Sequence, residues 1–169
     1  MYATEAVPAI QNPATCEARC LILACGNTLR SDDGVGLRLA EWAEARFEAN
    51  SNVRIVACQQ WTPDLAEDIS EAESVLFIDS SIQSQPGRVN LVPVEPHASR
   101  SGPVTHHLNA NQLMELARSL YGSHPAHSML LTIGAGSTEL GESFSDSVEA
   151  ALPRARDVLE KTVLRFLEN

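Results

Sequence analysis

The stretch LILACGNTLRSDDGVGLRLAE, residues 21–41, decides the fold that this chain is expected to adopt. It opens within a short apolar run, CLILAC, which is typical of a strand buried on both faces of a parallel sheet. The glycine-asparagine pair that follows is a turn signal. From Val35 the apolar residues recur with a 3.6-residue period, which predicts an amphipathic helix to about Ala49. The stretch therefore predicts a strand, a loop and a helix.

The same alternation continues along the chain. Further strands are predicted at 53–58, 75–79, 88–94 and from Ser128, and further helices after Thr62-Pro63, over the segment closed by Gly122, and at about 145–167. A kink or break is expected at Pro153, because proline fits poorly inside a regular helix. The order predicts an α/β fold, a three-layer α/β/α sandwich with a twisted, mostly parallel five-stranded sheet and helices on both faces.

The length and composition indicate one folded domain. The chain has 169 residues, of which 44% are hydrophobic and 20% are charged, as in folded globular proteins. Residues 1–18 contain Pro8 and Pro13 and lack periodicity, which predicts a loose leader before a single domain at 19–169.

The charge and the cysteines restrict the possible partners. Twelve lysines and arginines against 22 acidic residues give a net charge of -10, which disfavours nucleic acid and anionic membrane surfaces. The chain shows neither an export signal nor an apolar run of the roughly 20 residues that span a bilayer. We therefore expect a cytoplasmic protein whose four cysteines carry free thiols.

Several polar residues are expected at the carboxyl ends of the parallel strands, where doubly wound sheets bind ligands. They are Asp33, Gln59, Gln60 and Asp79, with His106 and His107 before the third helix. Two carboxylates and an imidazole suit a borderline divalent ion such as nickel, zinc or manganese, and three ligands leave positions open for a substrate. The ordinary alternatives are that Asp32 or Asp33 caps the first helix, that Asp79 bonds strand-end amides, and that the histidine is a surface residue.

Four stretches resemble, in order, the motifs of hydrogenase maturation proteases. The opening stretch matches the family's strand, Gly-Asn turn, paired acidic residues and Gly-Val-Gly. VLFIDSSIQSQPGRV resembles the third strand with its terminal aspartate, and it is followed by THHLNANQLMELARSLYGSHP and LTIGAGSTELGESFSDSVEAALP. The resemblance extends from about Cys20 to the end of the chain.

The resemblance implies an endopeptidase that removes the C-terminal extension of a nickel-loaded [NiFe]-hydrogenase large-subunit precursor. It implies that Asp33, Asp79 and His106 bind the metal. It further implies that nickel is supplied by the substrate and that the protein needs no permanent cofactor. The catalytic base stays unassigned, because metal polarisation and carboxylate activation of water both hydrolyse amides.

The sequence departs from the family pattern at two places. Ala24 stands where many members have glycine, and Gln59-Gln60-Trp61-Thr62 stands where many have Asp-Gly-Gly-Thr. Gln60 is a candidate to orient the substrate through its amide. The missing aspartate leaves an alternative open, a noncatalytic module that binds nickel or hydrogenase on the same scaffold. Nucleotide binding is disfavoured, because no G-x-G-x-x-G follows the first strand.

Overall fold

The structure is a computed structural model that describes residues 19–97 and 108–169. The strands are β1 (Cys20–Cys25), β2 (Val53–Cys58), β3 (Ser74–Ser81), β4 (Val89–Pro93) and β5 (His127–Gly134), and the helices are α1 (Val35–Phe47), α2 (Leu65–Glu71), α3 (Ala110–Tyr121) and α4 (Asp146–Glu168). The predicted leader at 1–18 and the two histidines at 106 and 107 lie outside the described residues. The helix closed by Gly122 ends as predicted, with that glycine in the left-handed conformation.

The five strands form one sheet in the order β2-β1-β3-β5-β4. Strands β2, β1, β3 and β5 are parallel, and β4 pairs antiparallel with β5. Helices α1 and α4 pack on one face, and α2 and α3 pack on the other. The predicted α/β class, with a mostly parallel five-stranded sheet between two helical layers, is confirmed.

Strand β1 lies inside the sheet, between β2 and β3, and its side chains belong to both cores. Ile22 and Ala24 pack in the core beneath α1 and α4, whereas Leu21 and Leu23 pack in the core beneath α2 and α3. All six residues of the strand are buried. This double burial explains why the strand is continuously apolar instead of alternating.

Gly36 allows α1 to approach the ends of β1 and β3. A Cβ at this position would lie 2.3 Å from the Cys25 carbonyl oxygen and 3.2 Å from that of Ile78. Both contacts are with backbone atoms, which cannot move aside as a flexible side chain can. Glycine therefore sets the distance between the helix and the edge of the sheet that carries the predicted site.

Gly36→Ala is expected to lower the free energy of unfolding by about 1–3 kcal/mol, the usual cost of overpacking a close contact. Helix propensity alone predicts the opposite sign, a gain of up to about 1 kcal/mol. Urea titration followed by circular dichroism separates the two, and a stabilised variant would contradict the close approach described above.

Helix α4 is continuous across Pro153, so of the predicted kink or break the break does not occur. The helix runs from Asp146 to Glu168 with Pro153 inside it. Proline has no backbone N–H, so the Glu149 carbonyl lacks the helical hydrogen bond that residue 153 would otherwise donate. Both Pro153 and Glu149 are exposed, so water can bond this carbonyl instead. The buried residues Val148, Leu152, Ala155, Leu159 and Val163 continue on both sides of the proline. Burial of this stripe holds the two halves in one helix despite the local penalty.

The prediction that Asp32 or Asp33 caps α1 is also wrong. Both residues belong to a 3-10 helix, Ser31–Gly34, and the N-cap of α1 is Gly34, without a side-chain cap bond. The two neighbouring carboxylates instead point to different parts of the molecule.

The Asp32 carboxylate is fully buried and joins two distant segments. Its Oδ2 accepts bonds from the amides of Gly136 at 2.7 Å and Ser137 at 2.9 Å, and from the Ser145 hydroxyl at 2.7 Å. Its Oδ1 accepts a bond from the Ser145 amide at 2.7 Å. Asp32 thus fastens the loop after β5 and the start of α4 to the loop after β1.

Candidate functional site

A cleft opens at the carboxyl ends of β1, β2 and β3 and has a volume of about 590 Å³. It is lined by Cys25, Gly26, Asn27, Asp33, Gln59, Gln60, Trp61, Asp79, Ile82 and Leu108. The structure thus brings Asp33, Asp79 and Gln60 to one cleft. Residues 98–107, which precede Leu108 and include His106, lie outside the described residues. The cleft is at the edge of the sheet at which the predicted site was expected.

Two hydrogen bonds fix the Asp33 carboxylate at the mouth of the cleft. Its Oδ2 accepts the Asn27 amide at 3.1 Å, and its Oδ1 accepts the Ser80 hydroxyl at 2.9 Å. The turn brings these groups together because Gly26, at φ 151°, has no side chain, and a Cβ there would lie 2.0 Å from the Asp33 carbonyl oxygen. The Gly-Asn signal of the sequence therefore serves to place Asp33.

Asp79 ends the buried part of β3 and is itself only partly exposed. Its Oδ1 accepts the Ser80 amide at 2.8 Å. Burial, reinforced by the negative charge of Asp33, raises the pKa of Asp79 to about 6, although hydrogen bonds from the Cys25 thiol and the Ser80 amide oppose the rise. Asp79 is thus mostly ionised at neutral pH and close enough to titration to exchange a proton.

Ser80 connects the two carboxylates, because its amide donates to Asp79 and its hydroxyl donates to Asp33. Ser80 is not among the site residues predicted from the sequence. A serine directly after a strand-terminal aspartate carries no local signal, since its bond to Asp33 spans 47 positions of the chain.

The chemistry of this arrangement is that of two neighbouring, partly buried carboxylates in one open cleft. Carboxylate oxygens are ligands for a divalent cation, and a carboxyl group with a pKa near neutrality is suited to general acid-base catalysis. Within residues 19–97 and 108–169, no set of three or more His, Cys, Asp or Glu side chains is close enough to hold a metal ion. The third predicted ligand, His106, is outside these ranges.

Comparisons with known proteins point to one family. No family model matches the chain. The hydrogenase expression/formation protein HupD of Bradyrhizobium diazoefficiens is 28% identical over 116 residues, which are 67% of this chain and 60% of HupD. The chain therefore covers less than two thirds of the curated relative that it matches.

The solved structures that are similar to the chain cover most of it. The hydrogenase 2 maturation peptidase of a Thaumarchaeota archaeon is 27% identical, with a TM-score of 0.63 over 86% of this chain and 97% of that one. The [NiFe] hydrogenase maturation protease HybD of Thermococcus kodakarensis is 26% identical, with a TM-score of 0.59 over 85% and 98%. HybD of Escherichia coli shares the fold, with a TM-score of 0.70 at 19% identity over 87% and 93%. In sequence and in fold, the chain is similar to hydrogenase maturation proteases.

Within this hydrogenase maturation protease fold, the departure at Gln59-Gln60 lies directly in the cleft. Both glutamines are exposed and line it, and their side-chain amides offer both donors and acceptors. Gln60 is thus at a position from which it can contact a bound chain, as its predicted role in orienting substrate requires.

Cys25 and Trp61 form part of the cleft wall. Burial and the negative charge of Asp79 raise the pKa of the Cys25 thiol, so it stays protonated. Trp61 is 6% exposed and packs edge-on against Phe77, with ring centroids 5.2 Å apart. No described residue accepts a bond from its indole nitrogen. Trp61 is a core residue whose ring also borders the cleft.

The three described cysteines, at 20, 25 and 58, carry free thiols, and Cys16 lies outside the described residues. None of the helices in 19–97 and 108–169 combines the length and apolar character that a membrane span requires.

Proposed function

We propose that this chain is an endopeptidase that removes the C-terminal extension of a nickel-loaded [NiFe]-hydrogenase large-subunit precursor and recognises that substrate through its nickel. The observation that carries the proposal is the pair of carboxylates, Asp33 and Asp79, held together by Ser80 on one open cleft. The names of the similar structures, which are maturation endopeptidases and peptidases, support the same activity.

In this proposal Asp33 and Asp79 supply oxygen ligands to nickel that the substrate already holds through its own cysteines. His106 supplies a third ligand. Binding then places the scissile bond beside the carboxylates, so recognition and alignment are a single step. Gln60 orients the substrate backbone, no permanent cofactor is required, and the catalytic base is unassigned between a metal-polarised carbonyl and a carboxylate-activated water.

The deciding experiment compares a nickel-loaded precursor with its nickel-free form. Cleavage of the loaded form alone, seen as a shift on a denaturing gel and as the expected fragment by mass spectrometry, is the result that we expect. Equal cleavage of both forms would remove nickel from recognition.

The second candidate is a noncatalytic module that binds nickel or hydrogenase. The observation in its favour is the glutamine pair at 59–60, which lines the cleft where many members of the family have aspartate and glycine. Binding of the loaded precursor without cleavage would support this module and contradict the proposed peptidase.

Ser80→Ala is expected to lower kcat for the loaded precursor about tenfold with a smaller change in KM, because Asp33 loses the hydroxyl that orients it. The amide bond to Asp79 is a backbone contact and remains. Ser80→Thr, which retains a hydroxyl, is the matched control and should recover most of the rate. Equal losses in both variants would show that the hydroxyl does not position Asp33.

A further inference from the structure

A shallow groove of about 410 Å³ runs along α1 and reaches the end of β2. It is lined by Thr28, by Leu37, Ala40, Glu41 and Glu44 of α1, and by Ala57, Cys58 and Gln59. Gln59 lines the cleft as well, so the groove and the cleft meet at this residue. A chain bound in the cleft therefore has a path onward along the surface of α1.

The floor of the groove is apolar and is kept low by small side chains. The α1 residues follow a spacing of three, one and three positions, which places them on one stripe of the helix. Ala40 is buried beneath this stripe, Leu37 is partly exposed, and Ala57 is exposed on β2. The floor thus offers room for a small or medium apolar side chain.

The rim of the groove is acidic. Glu41 and Glu44 are both exposed, and Glu41 is paired with Arg38 at 3.4 Å. Glu44 forms no ion pair with any residue of the described ranges. An apolar floor beside an unpaired carboxylate is complementary to a segment that carries an apolar side chain and a nearby lysine or arginine.

The outer side of β2 adds a second mode of contact. Strand β2 is at the edge of the sheet, so no strand within 19–97 and 108–169 pairs with its outer side. Its free backbone groups are available to an extended chain by strand addition, in which main-chain bonds give affinity and side-chain pockets give specificity.

We propose that this groove binds an extended segment of the protein substrate adjacent to the scissile bond, with an apolar side chain on the floor and a basic side chain at Glu44. The inference rests on the proposed function, because it assigns to the groove the continuation of a chain bound in the cleft. It identifies the partner as a basic polypeptide segment instead of a small molecule.

Two variants test the groove, each with a matched control that makes the same change elsewhere. Glu44→Lys reverses the rim charge, and Glu71→Lys makes the same reversal at the exposed end of α2 on the opposite face of the sheet. Ala57→Leu fills the floor, and Ala45→Leu adds the same bulk at an exposed α1 position that does not line the groove.

The measurements are KM and kcat for the nickel-loaded precursor, and fluorescence anisotropy with a labelled, nickel-free peptide that spans its cleavage position. Glu44→Lys and Ala57→Leu should each raise KM and the peptide Kd about five- to tenfold with kcat within about twofold, the pattern of lost uniform binding. The controls should match the wild type. A precursor whose basic residue is changed to glutamate should regain affinity for Glu44→Lys.

The outcomes distinguish this inference from the function on which it rests. If the wild type cleaves the loaded precursor while both groove variants keep its KM and peptide affinity, the groove inference fails and the proposed function stands. If the wild type binds the peptide but does not cleave the loaded precursor, and only the groove variants bind the peptide more weakly, the proposed function fails and the groove remains a peptide site. Groove variants that change only the sedimentation of the free protein would identify the groove as a contact between copies and overturn the inference.

Discussion

Asp79→Asn is expected to abolish cleavage of the nickel-loaded precursor, with a loss of at least about 100-fold in kcat/KM. Asparagine keeps the size of the side chain and an oxygen that accepts the Ser80 amide, but it removes the charge and one of the two oxygens. Asp33→Asn is expected to give a loss of the same order, because the proposed nickel contact uses both carboxylates. Rates are measured by single-turnover cleavage followed on gels.

The control for these losses is Asp64→Asn, a neutral change at an exposed aspartate that does not line the cleft. It should cleave at the wild-type rate. Nickel-loaded precursor should also bind the two cleft variants more weakly in a pull-down, which separates loss of recognition from loss of chemistry. Full activity in Asp33→Asn or Asp79→Asn would remove that residue from the site.

The pKa of Asp79 gives a related expectation for the wild type. With this pKa raised to about 6, the fraction of ionised Asp79 falls as the pH is lowered through 6. The proposed nickel contact requires an ionised Asp79, so kcat/KM should decline below about pH 6. This parameter is the suitable one because it reports ionisations of the free enzyme. A profile that stays flat from pH 7.5 to 5 would contradict a role for ionised Asp79.

The fold was predictable because its strongest signals are local. The apolar run of β1, the periodic face of α1 and the glycine that ends α3 each need only a few neighbouring residues to be interpreted. Their alternation with the later strands then selects a parallel sheet. The Asp33 and Asp79 positions follow from the same signals, because Asp33 lies in the loop after the first predicted strand and Asp79 ends the third.

The features that were missed depend on contacts between distant parts of the chain. Nothing local distinguishes Asp32 from Asp33, whereas in the structure Asp32 accepts bonds from residues 104, 105 and 113 positions away. The break expected at Pro153 does not occur, because α4 buries an apolar stripe that continues on both sides of the proline. The groove beside β2 depends on this strand being at the edge of the sheet, and the alternation of elements does not fix strand order.

Asp32→Asn is expected to lower the free energy of unfolding by more than about 3 kcal/mol. The Asp32 carboxylate accepts hydrogen bonds from four donors, and an asparagine side chain has one oxygen and one NH₂ group in place of the two oxygens. In either orientation of the amide, at least one of these donors faces the NH₂ group and loses its acceptor. Asp33→Asn is the matched neighbour. Its carboxylate is partly exposed and accepts two bonds, so its cost should be about 1 kcal/mol. Chemical denaturation of both variants at pH 7 measures the difference.

The pH dependence of stability gives this prediction a second, independent signature. Burial opposes the ionisation of Asp32, but the bonds from Ser145, Ser137 and Gly136 outweigh it and hold the pKa below its ordinary value. The folded state is therefore stabilised by this group above the unfolded pKa of about 3.9, and that stabilisation is lost as the pH falls through the lower folded pKa.

Asp32→Asn should flatten the acid limb of the stability curve, whereas Asp33→Asn should retain it while losing cleavage. An unchanged acid limb in Asp32→Asn would show that the junction of the β1 loop, the β5 loop and α4 does not depend on an ionised Asp32. We expect this contrast between two adjacent aspartates, a loss of stability for one and a loss of cleavage for the other, because each carboxylate contacts different groups.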